Sequence, residues 1–347
     1  MDESEKRARI CLACDYDITP RKLLFLLGKF GNAQNILSSK QEDKLVERVL
    51  KNKKRNISST VNIKTVIVYG EEIYPKLLAQ IPDPPLALFY RGDIDNINFE
   101  KCIGIVGTRR ISNYGTSATK GLVRFLVERG FTIVSGLAYG VDALAHEETL
   151  ACGGQTIAIL GTSIDDPYPQ TNSWLYKKII NNSGLVFSES IEKVPYGKWM
   201  FPKRNRIIAG LCKKLIVVEA PQKSGALITA NFSCDFNRDV YGIPGEVFST
   251  NSYGVNTLIK DGTAKIITKY EDIIEDDQLV FCLEQNNYNS FTEAESEVMK
   301  YIMLGNKTIE SLVVNLRYDI TMLLSILGKL ELNNIIERFE DGTFMVK

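Results

Sequence analysis

Between residues 64 and 270, short apolar runs rich in β-branched residues alternate with helix-length segments, and no other feature limits the fold so tightly. The runs fall at residues 65–68, 103–106, 131–134, 156–160, 185–187, 215–218 and 240–243. Between them lie amphipathic stretches such as 114–129, 141–152 and 225–237. Strands buried on both faces read as continuous hydrophobic runs, and intervening helices supply the crossovers that parallel strands require. The pattern predicts an α/β fold with a doubly wound, largely parallel sheet. Several runs end in small or hydroxylated residues just before the next helix: Gly107-Thr108, Ser135-Gly136 and Gly161-Thr162. Ligands of open α/β sheets bind outside the carboxyl ends of the strands, so these loops are expected to converge on one site.

The flanks read differently. Residues 1–62 suit small helices, with Leu23, Leu24, Leu26 and Leu27 at helical spacing and a second helix-like run at 44–50. Lys51, Lys53, Lys54 and Arg55 follow as a basic, solvated linker. After the 63–270 domain, the run EDIIEDD at 271–277 opens an acidic linker reaching to about 290. Residues 291–347 then read as three helices, at 292–303, 308–314 and 320–332, and a hairpin-like end with Asp341-Gly342. That order suits a winged helix.

Composition excludes little. The 347 residues carry 42 basic and 42 acidic side chains, so any nucleic-acid partner must be recognised by local charge. The N-terminus lacks the apolar core of a signal peptide, and the apolar run 23–27 is too short to cross a bilayer, so the expected address is the cytoplasm. The seven cysteines, mostly isolated among apolar residues, read as reduced, buried thiols. Cys11 and Cys14 form a lone CxxC without the second pair or the histidines of a zinc site.

The densest chemistry lies at 193–214. Lys193, Lys198, Lys203, Arg204, Arg206, Lys213 and Lys214 occur there without an acid, interleaved with Tyr196, Trp199 and Phe201. Cations neutralise phosphates and aromatic faces accept unstacked bases, so the segment suits single-stranded nucleic acid. It equally suits a solvated loop whose aromatics cap the core. A second basic stretch, 101–129, is centred on GTRRISNYG, where Gly107 allows close backbone approach and Ser112 or Asn113 could cap a helix. Free amides at a helix start attract an anion, and Arg109 or Arg110 could clamp a phosphate. The turns SGLAYGVD, with Gly136, and KSGALITAN, with Ser224 and Gly225, repeat the strand–turn–helix arrangement.

Neither GxGxxG nor GxxxxGK[ST] occurs, which argues against the usual dinucleotide and triphosphate sites. The single histidine, His146, falls inside a helical run and suits a structural role. Ser135 and Ser224 have no histidine to activate them, metal-ligand spacing is absent, and Glu219 in VVEA suits a hydrogen-bond acceptor for loop amides. No catalytic group, cofactor or metal is expected.

The succession of motifs is more specific than any one of them. YPKLLAQIPDPPLALFYRGD, IGIVGTRRISNYG, SGLAYGVDALAH, TIAILGTSIDDPYPQTN, FPKRNRIIAG, VVEAPQKSGALITA and IPGEVFSTNSYGVNTLI follow one another between residues 74 and 259. This order closely resembles the DNA-processing protein A (DprA/Smf) family over about residues 70–270. The resemblance implies an extended Rossmann-like DNA-binding domain flanked by a small SAM-like helical domain and a winged helix. It further implies a homodimer that binds and protects incoming single-stranded DNA and helps load the RecA recombinase in natural transformation. By the same resemblance Gly107, Thr108 and Arg109 form a phosphate pocket. Lys198 supplies a phosphate contact, Phe201 a stacking contact, and Lys203, Arg204, Asn205 and Arg206 the mouth of the groove. Two features run against it or beside it. Asp165 and Asp166 make one loop more acidic than a DNA-facing loop prefers. The related nucleoside-monophosphate phosphoribohydrolases carry PGGxGTxxE where this chain reads PQKSGALITA. A nucleotide-sensing module of the same fold is the other alternative.

Overall fold

The structure, a computed structural model, describes residues 1–14, 18–39, 46, 61–192, 197, 199–274, 292–303, 308–316, 318–333, 335–339 and 342–346. Lys193, Tyr196, Lys198, Cys282, Asp341, the basic linker at 51–55, the acidic stretch beyond 274 and all of the run 44–50 except Val46 lie outside the described residues. The chain divides into two compact units, Met1–Tyr270 and Glu271–Lys347.

The first unit opens with helices α1 (Glu3–Ala13), α2 (Pro20–Phe30) and α3 (Ala33–Ser38). Strands β1 (Val66–Val68) and β2 (Ala87–Gly92) follow, with the single turn α4 (Lys76–Ala79) between them. Then β3 (Cys102–Val106), α5 (Asn113–Glu128), β4 (Thr132–Ser135), α6 (Val141–Ala151), β5 (Thr156–Ser163), α7 (Ser173–Asn181) and β6 (Leu185–Ser190) alternate. The series continues through α8 (Met200–Leu211), β7 (Lys214–Val217), α9 (Gly225–Asp235), β8 (Asp239–Gly242), α10 (Tyr253–Lys260) and β9 (Lys265–Ile266). The strands make one sheet in the order β1-β2-β6-β5-β4-β3-β7-β8-β9. From β6 to β9 every pairing is parallel, while β2 runs antiparallel to both β1 and β6.

Successive side chains of a strand point to opposite faces, and both faces here are covered. Along β5, Ile157 and Ile159 join the core that contains Ile207, Ile208 and Leu211 of α8. Ala158 and Leu160 join the opposite core, with Ala143 of α6 and Leu175 and Ile179 of α7. Each large apolar side chain so buried contributes about 1.5–3 kcal/mol. Ile10 of α1 and Cys14 just after it pack into the second core as well. The buried Glu5 carboxylate accepts the Ala33 amide at the start of α3 at 3.0 Å, and Lys6 pairs with Glu71 at 2.8 Å. The apolar faces of α2 and α3 pack with Leu12 of α1 in a cluster of their own, which reaches Leu86 just before β2.

Three elements differ from the expectations. Strand β2 follows the proline-rich IPDPP, whose turn signal hides it, and β9 has two residues. The basic-aromatic segment is helical from Met200 to Leu211. The thiols also divide: Cys14, Cys102 and Cys212 are buried as expected, but Cys152 and Cys234, both near the ends of helices, are exposed. The second unit contains α11 (Glu293–Met303), α12 (Ile309–Leu316) and α13 (Ile320–Leu332). Its strands β10 (Ile336–Arg338) and β11 (Phe344–Val346) pair antiparallel. Among the described residues no single helix is long and apolar enough to cross a membrane.

His146 of α6 is wholly buried. Its Nδ1 lies 2.6 Å from the Thr156 hydroxyl, which itself donates to the Ile133 carbonyl at 2.8 Å. The hydroxyl proton being spent, Nδ1 is the donor and Nε2 is a bare lone pair with no partner in its apolar surroundings. Protonation would bury an unpaired N–H and a charge. Burial, with a smaller contribution from the nearby Arg204 cation, lowers the pKa from 6.5 to about 3. The unfolded chain therefore takes up this proton first as pH falls. The stability is fully present above about pH 6.5 and is lost toward pH 3, at up to ~1.4 kcal/mol per pH unit. We expect denaturation midpoints to fall between about pH 6.5 and 5, and His146→Gln to flatten that slope. An unchanged slope in the variant would remove the histidine from the account.

Candidate nucleic-acid interface

From β3 the chain moves outward through β4, β5 and β6, then returns to add β7 on the other side of β3. The topological switch point therefore lies between β3 and β7, where the loops 107–112 and 218–224 leave the sheet's carboxyl edge. Gly107 is required by packing. A Cβ there would sit 2.5 Å from Val141 Cγ2 and 3.0 Å from the Glu219 carbonyl oxygen. The Thr108 amide donates to that carbonyl at 2.7 Å, and the Val141 amide donates to the Thr108 carbonyl at 3.2 Å. Thr108 is buried by these contacts.

Ser112 is the N-cap of α5, accepting the Gly115 amide at 3.0 Å. Its own amide donates to Glu219 Oε2 at 3.0 Å, and its hydroxyl donates to Glu219 Oε1. Gly115 has no room for a side chain, since a Cβ would lie 2.5 Å from Glu219 Oε2. A helix start favours an anion, and here the chain supplies one from the end of β7. Of the amides around this helix start, Glu219 holds that of the N-cap Ser112 and the Ser112 hydroxyl holds that of Gly115. The cations of this loop are Arg109 and Arg110.

Those side chains point outward. Arg109 and Arg110 are both exposed, and the Arg110 carbonyl accepts Asn251 Nδ2 at 2.9 Å. The Arg109 guanidinium lies 5.6 Å from the centroid of Phe201, a cation–π distance. Phe201, in the first turn of α8, is half-buried, with the Tyr168 ring 5.5 Å away and inclined at 43°. Gly161 passes beneath, where a Cβ would come within 3.2 Å of Phe201 Cδ1. Lys203, two residues on, is half-buried. Tyr168 was not singled out from the sequence, although it sits in a loop already noted for its charge.

Arg204, Asn205 and Arg206 are not at the mouth of a groove. They lie beneath it, only 6%, 8% and 4% exposed. Arg204 Nη1 donates to the carbonyls of Gly136, at 2.6 Å, and Ile159, and its Nε donates to Asn205 Oδ1 at 3.1 Å. Asp142, behind the same turn, accepts the Gly136 amide at 3.2 Å. Burial raises the Asp142 pKa, and the Arg204 cation holds that rise back. Burial brings Arg204 down to about 10, against the pull of Asp142 and with a push from Arg109 above it. Gly136 is the spacer: a Cβ would lie 2.5 Å from Arg204 Nη2. Asn205 Nδ2 donates to the Gly225 carbonyl at 3.3 Å, beside Ser224, which caps α9 through the Ala226 amide at 3.2 Å. Arg206 pairs with Glu189 at 2.5 Å and lies 3.4 Å from Asp83.

The acidic loop 162–169 is partly neutralised. Arg91 grips Asp165 with two bonds of 3.0 and 2.8 Å, a surface pair worth about 0–1 kcal/mol. Among the described residues, no group of three or more histidine, cysteine or carboxylate side chains is placed to hold a metal ion. The surface left at the switch point is cationic and aromatic, backed by the buried Arg204 guanidinium and the buried Glu219 carboxylate.

Comparison with known proteins gives concordant results. The model of the family described as DNA recombination-mediator protein A matches residues 65–278. A protein Smf of Synechocystis is 44% identical over 199 residues, 56% of this chain and 50% of its own length, so the chain spans only half of that relative. The X-ray structure of DNA processing protein A from Streptococcus pneumoniae superposes with a TM-score of 0.64 at 31% identity, covering 77% of this chain and 95% of that one. DNA processing protein A from Helicobacter pylori, from a study of its single-stranded DNA binding mode, gives a TM-score of 0.55 at 29% identity over 62% of this chain and 96% of its own. With most of the sheet unit inside the family match and its loops carrying the motifs in order, the chain belongs to the DNA recombination-mediator protein A family.

Proposed function

We propose that this protein binds single-stranded DNA across the carboxyl edge of its sheet, protects incoming strands, and helps load RecA during natural transformation. The observation that carries the reading is the exposed Arg109 guanidinium set against the half-buried Phe201 ring. Together they offer one phosphate contact and one base-stacking face, which a flexible single strand satisfies and a stacked duplex does not. The Helicobacter relative, named for its single-stranded DNA binding mode, lends support. RecA loading, the homodimer and the cytoplasmic location rest on the family resemblance. Lys198 remains a proposed phosphate contact, as do Arg110 and Lys203. Arg204, Asn205 and Arg206 are proposed to shape the groove from beneath.

Glu219 weighs against a nucleotide sensor and against a phosphoribohydrolase. Both would need the helix start of α5 or the following glycine turn for a terminal phosphate, and the Glu219 carboxylate held by Ser112 beside the first would repel one. No turnover is expected. The described N-terminal and C-terminal helices are proposed to be a SAM-like domain and a winged helix. In the latter, α13 carries Lys329 as its one basic residue, and that lysine is paired with Glu295 at 2.5 Å.

Two outcomes test the reading. Arg109→Ala should weaken binding to single-stranded oligonucleotides and flatten the log–log salt dependence by about 0.7 per lost phosphate contact. Phe201→Ala should cost about 1–3 kcal/mol and leave that slope unchanged. Variants that bind like the parent, or equal competition by duplex and single strand, would sink the groove assignment. A chain ending at Tyr270, the boundary of the first compact unit, should retain most of its single-strand affinity. Loss of binding by that folded unit would transfer the function to the C-terminal helices.

A further inference from the structure

The sheet order gives the groove a length. Moving along the carboxyl edge from β5 to β8 crosses β4, β3 and β7. Neighbouring strands lie about 4.8 Å apart, so the four steps span roughly 19 Å. Phe201 and Tyr168 stand over the β5 end and Arg109 and Arg110 over β3. Beyond β7 comes the loop 243–252, which leaves the end of β8.

The base of that loop is tied to the cationic loop. Asn251 Nδ2 donates to the Arg110 carbonyl at 2.9 Å, and the Tyr114 hydroxyl donates to the Pro244 carbonyl at 2.5 Å. Asn256 clamps Gly245 from both sides, accepting its amide at 3.2 Å and donating to its carbonyl at 3.0 Å. The tip is a turn closed by Ser249 donating to the Glu246 carbonyl at 3.1 Å. On it Phe248 is 99% exposed. A single exposed aromatic is ordinary. An exposed aromatic on a pinned turn, bonded through Asn251 to the backbone of the exposed Arg110, continues the alternation of ring and cation that begins at Phe201. Glu246 beside it repels phosphate, so the tip suits the face of a base.

We propose that Phe248 is a second stacking station, receiving a base of the same DNA strand several nucleotides from the one on Phe201. This rests on the single-strand reading above. The test is a ladder of oligothymidylates of increasing length, with affinity and salt dependence measured for the parent, Phe248→Ala, Phe248→Tyr and Phe201→Ala.

Phe248→Ala should bind the shortest ligands like the parent and lose about tenfold once the ligand spans both rings, at an unchanged salt slope. Phe248→Tyr, which keeps a π face, should retain parental affinity. Equal loss at every length, or no loss at any length, overturns the station. So does a change in sedimentation of the DNA-free Phe248→Ala protein, which would make the tip an interface between copies. If Phe201→Ala also binds normally, the whole groove reading fails; if it alone is impaired, only the second station does.

Discussion

The Arg204 guanidinium, buried beneath the carboxyl edge of the sheet, holds together what the rest of the site stands on. It bonds the Gly136 carbonyl just after β4 and the Ile159 carbonyl within β5, reaches Asn205 on its own helix, and offsets the buried Asp142. Taking a charge out of water is costly, and here the carbonyls of Gly136 and Ile159 and the nearby Asp142 charge offset that cost. Removing Arg204 would leave those two carbonyls without this donor and Asp142 without its nearby cation. Geometry is what the guanidinium supplies. Phe201 lies one helical turn before Arg204, so the bonds that hold α8 against β4 and β5 also hold the Phe201 ring beside Tyr168 and under Arg109.

A second internal charge completes the support. Glu219 answers the anion preference of the α5 start with a carboxylate of the protein's own, so the loop 107–112 needs no ligand to hold its shape. A Rossmann-type crevice that leaves those amides open binds a terminal phosphate well. One that sets a buried carboxylate beside them repels a phosphate there and favours contacts through long side chains that reach past the rim. Such contacts do not require a terminal phosphate group, and they suit a polymer whose phosphates are shared along a backbone.

The central strands were legible because burial on both faces leaves no polar alternation to misread. Residues 103–106, 132–134, 156–160, 185–187 and 215–217 are strands both by pattern and by structure. The glycine-ended loops after β3 and β4 were legible too, since a ligand crevice follows from parallel order. Helix α8 was hidden for an electrostatic reason. Lys203, Arg204 and Arg206 within four residues look like a solvated face, and only partners far along the chain make burial tolerable. Asp142 and Gly136 lie more than sixty residues before Arg204, and Asp83 more than a hundred and twenty before Arg206. Sequence spacing carries no sign of such pairings. The Glu219–Ser112 bond, 107 residues apart, was hidden in the same way.

The division of one basic segment into inward and outward cations also fixes how the surface can bind. A chain with 42 basic and 42 acidic side chains has no overall positive field to gather DNA. Of the cations that sequence places near the groove, Arg204 and Arg206 are spent on the interior, which leaves few to release counterions. Binding at such a surface must draw a large share of its free energy from stacking, a contribution that salt does not screen. It should therefore fall less steeply with ionic strength than binding along a continuous basic track, and it should prefer strands whose bases are free to leave one another for Phe201.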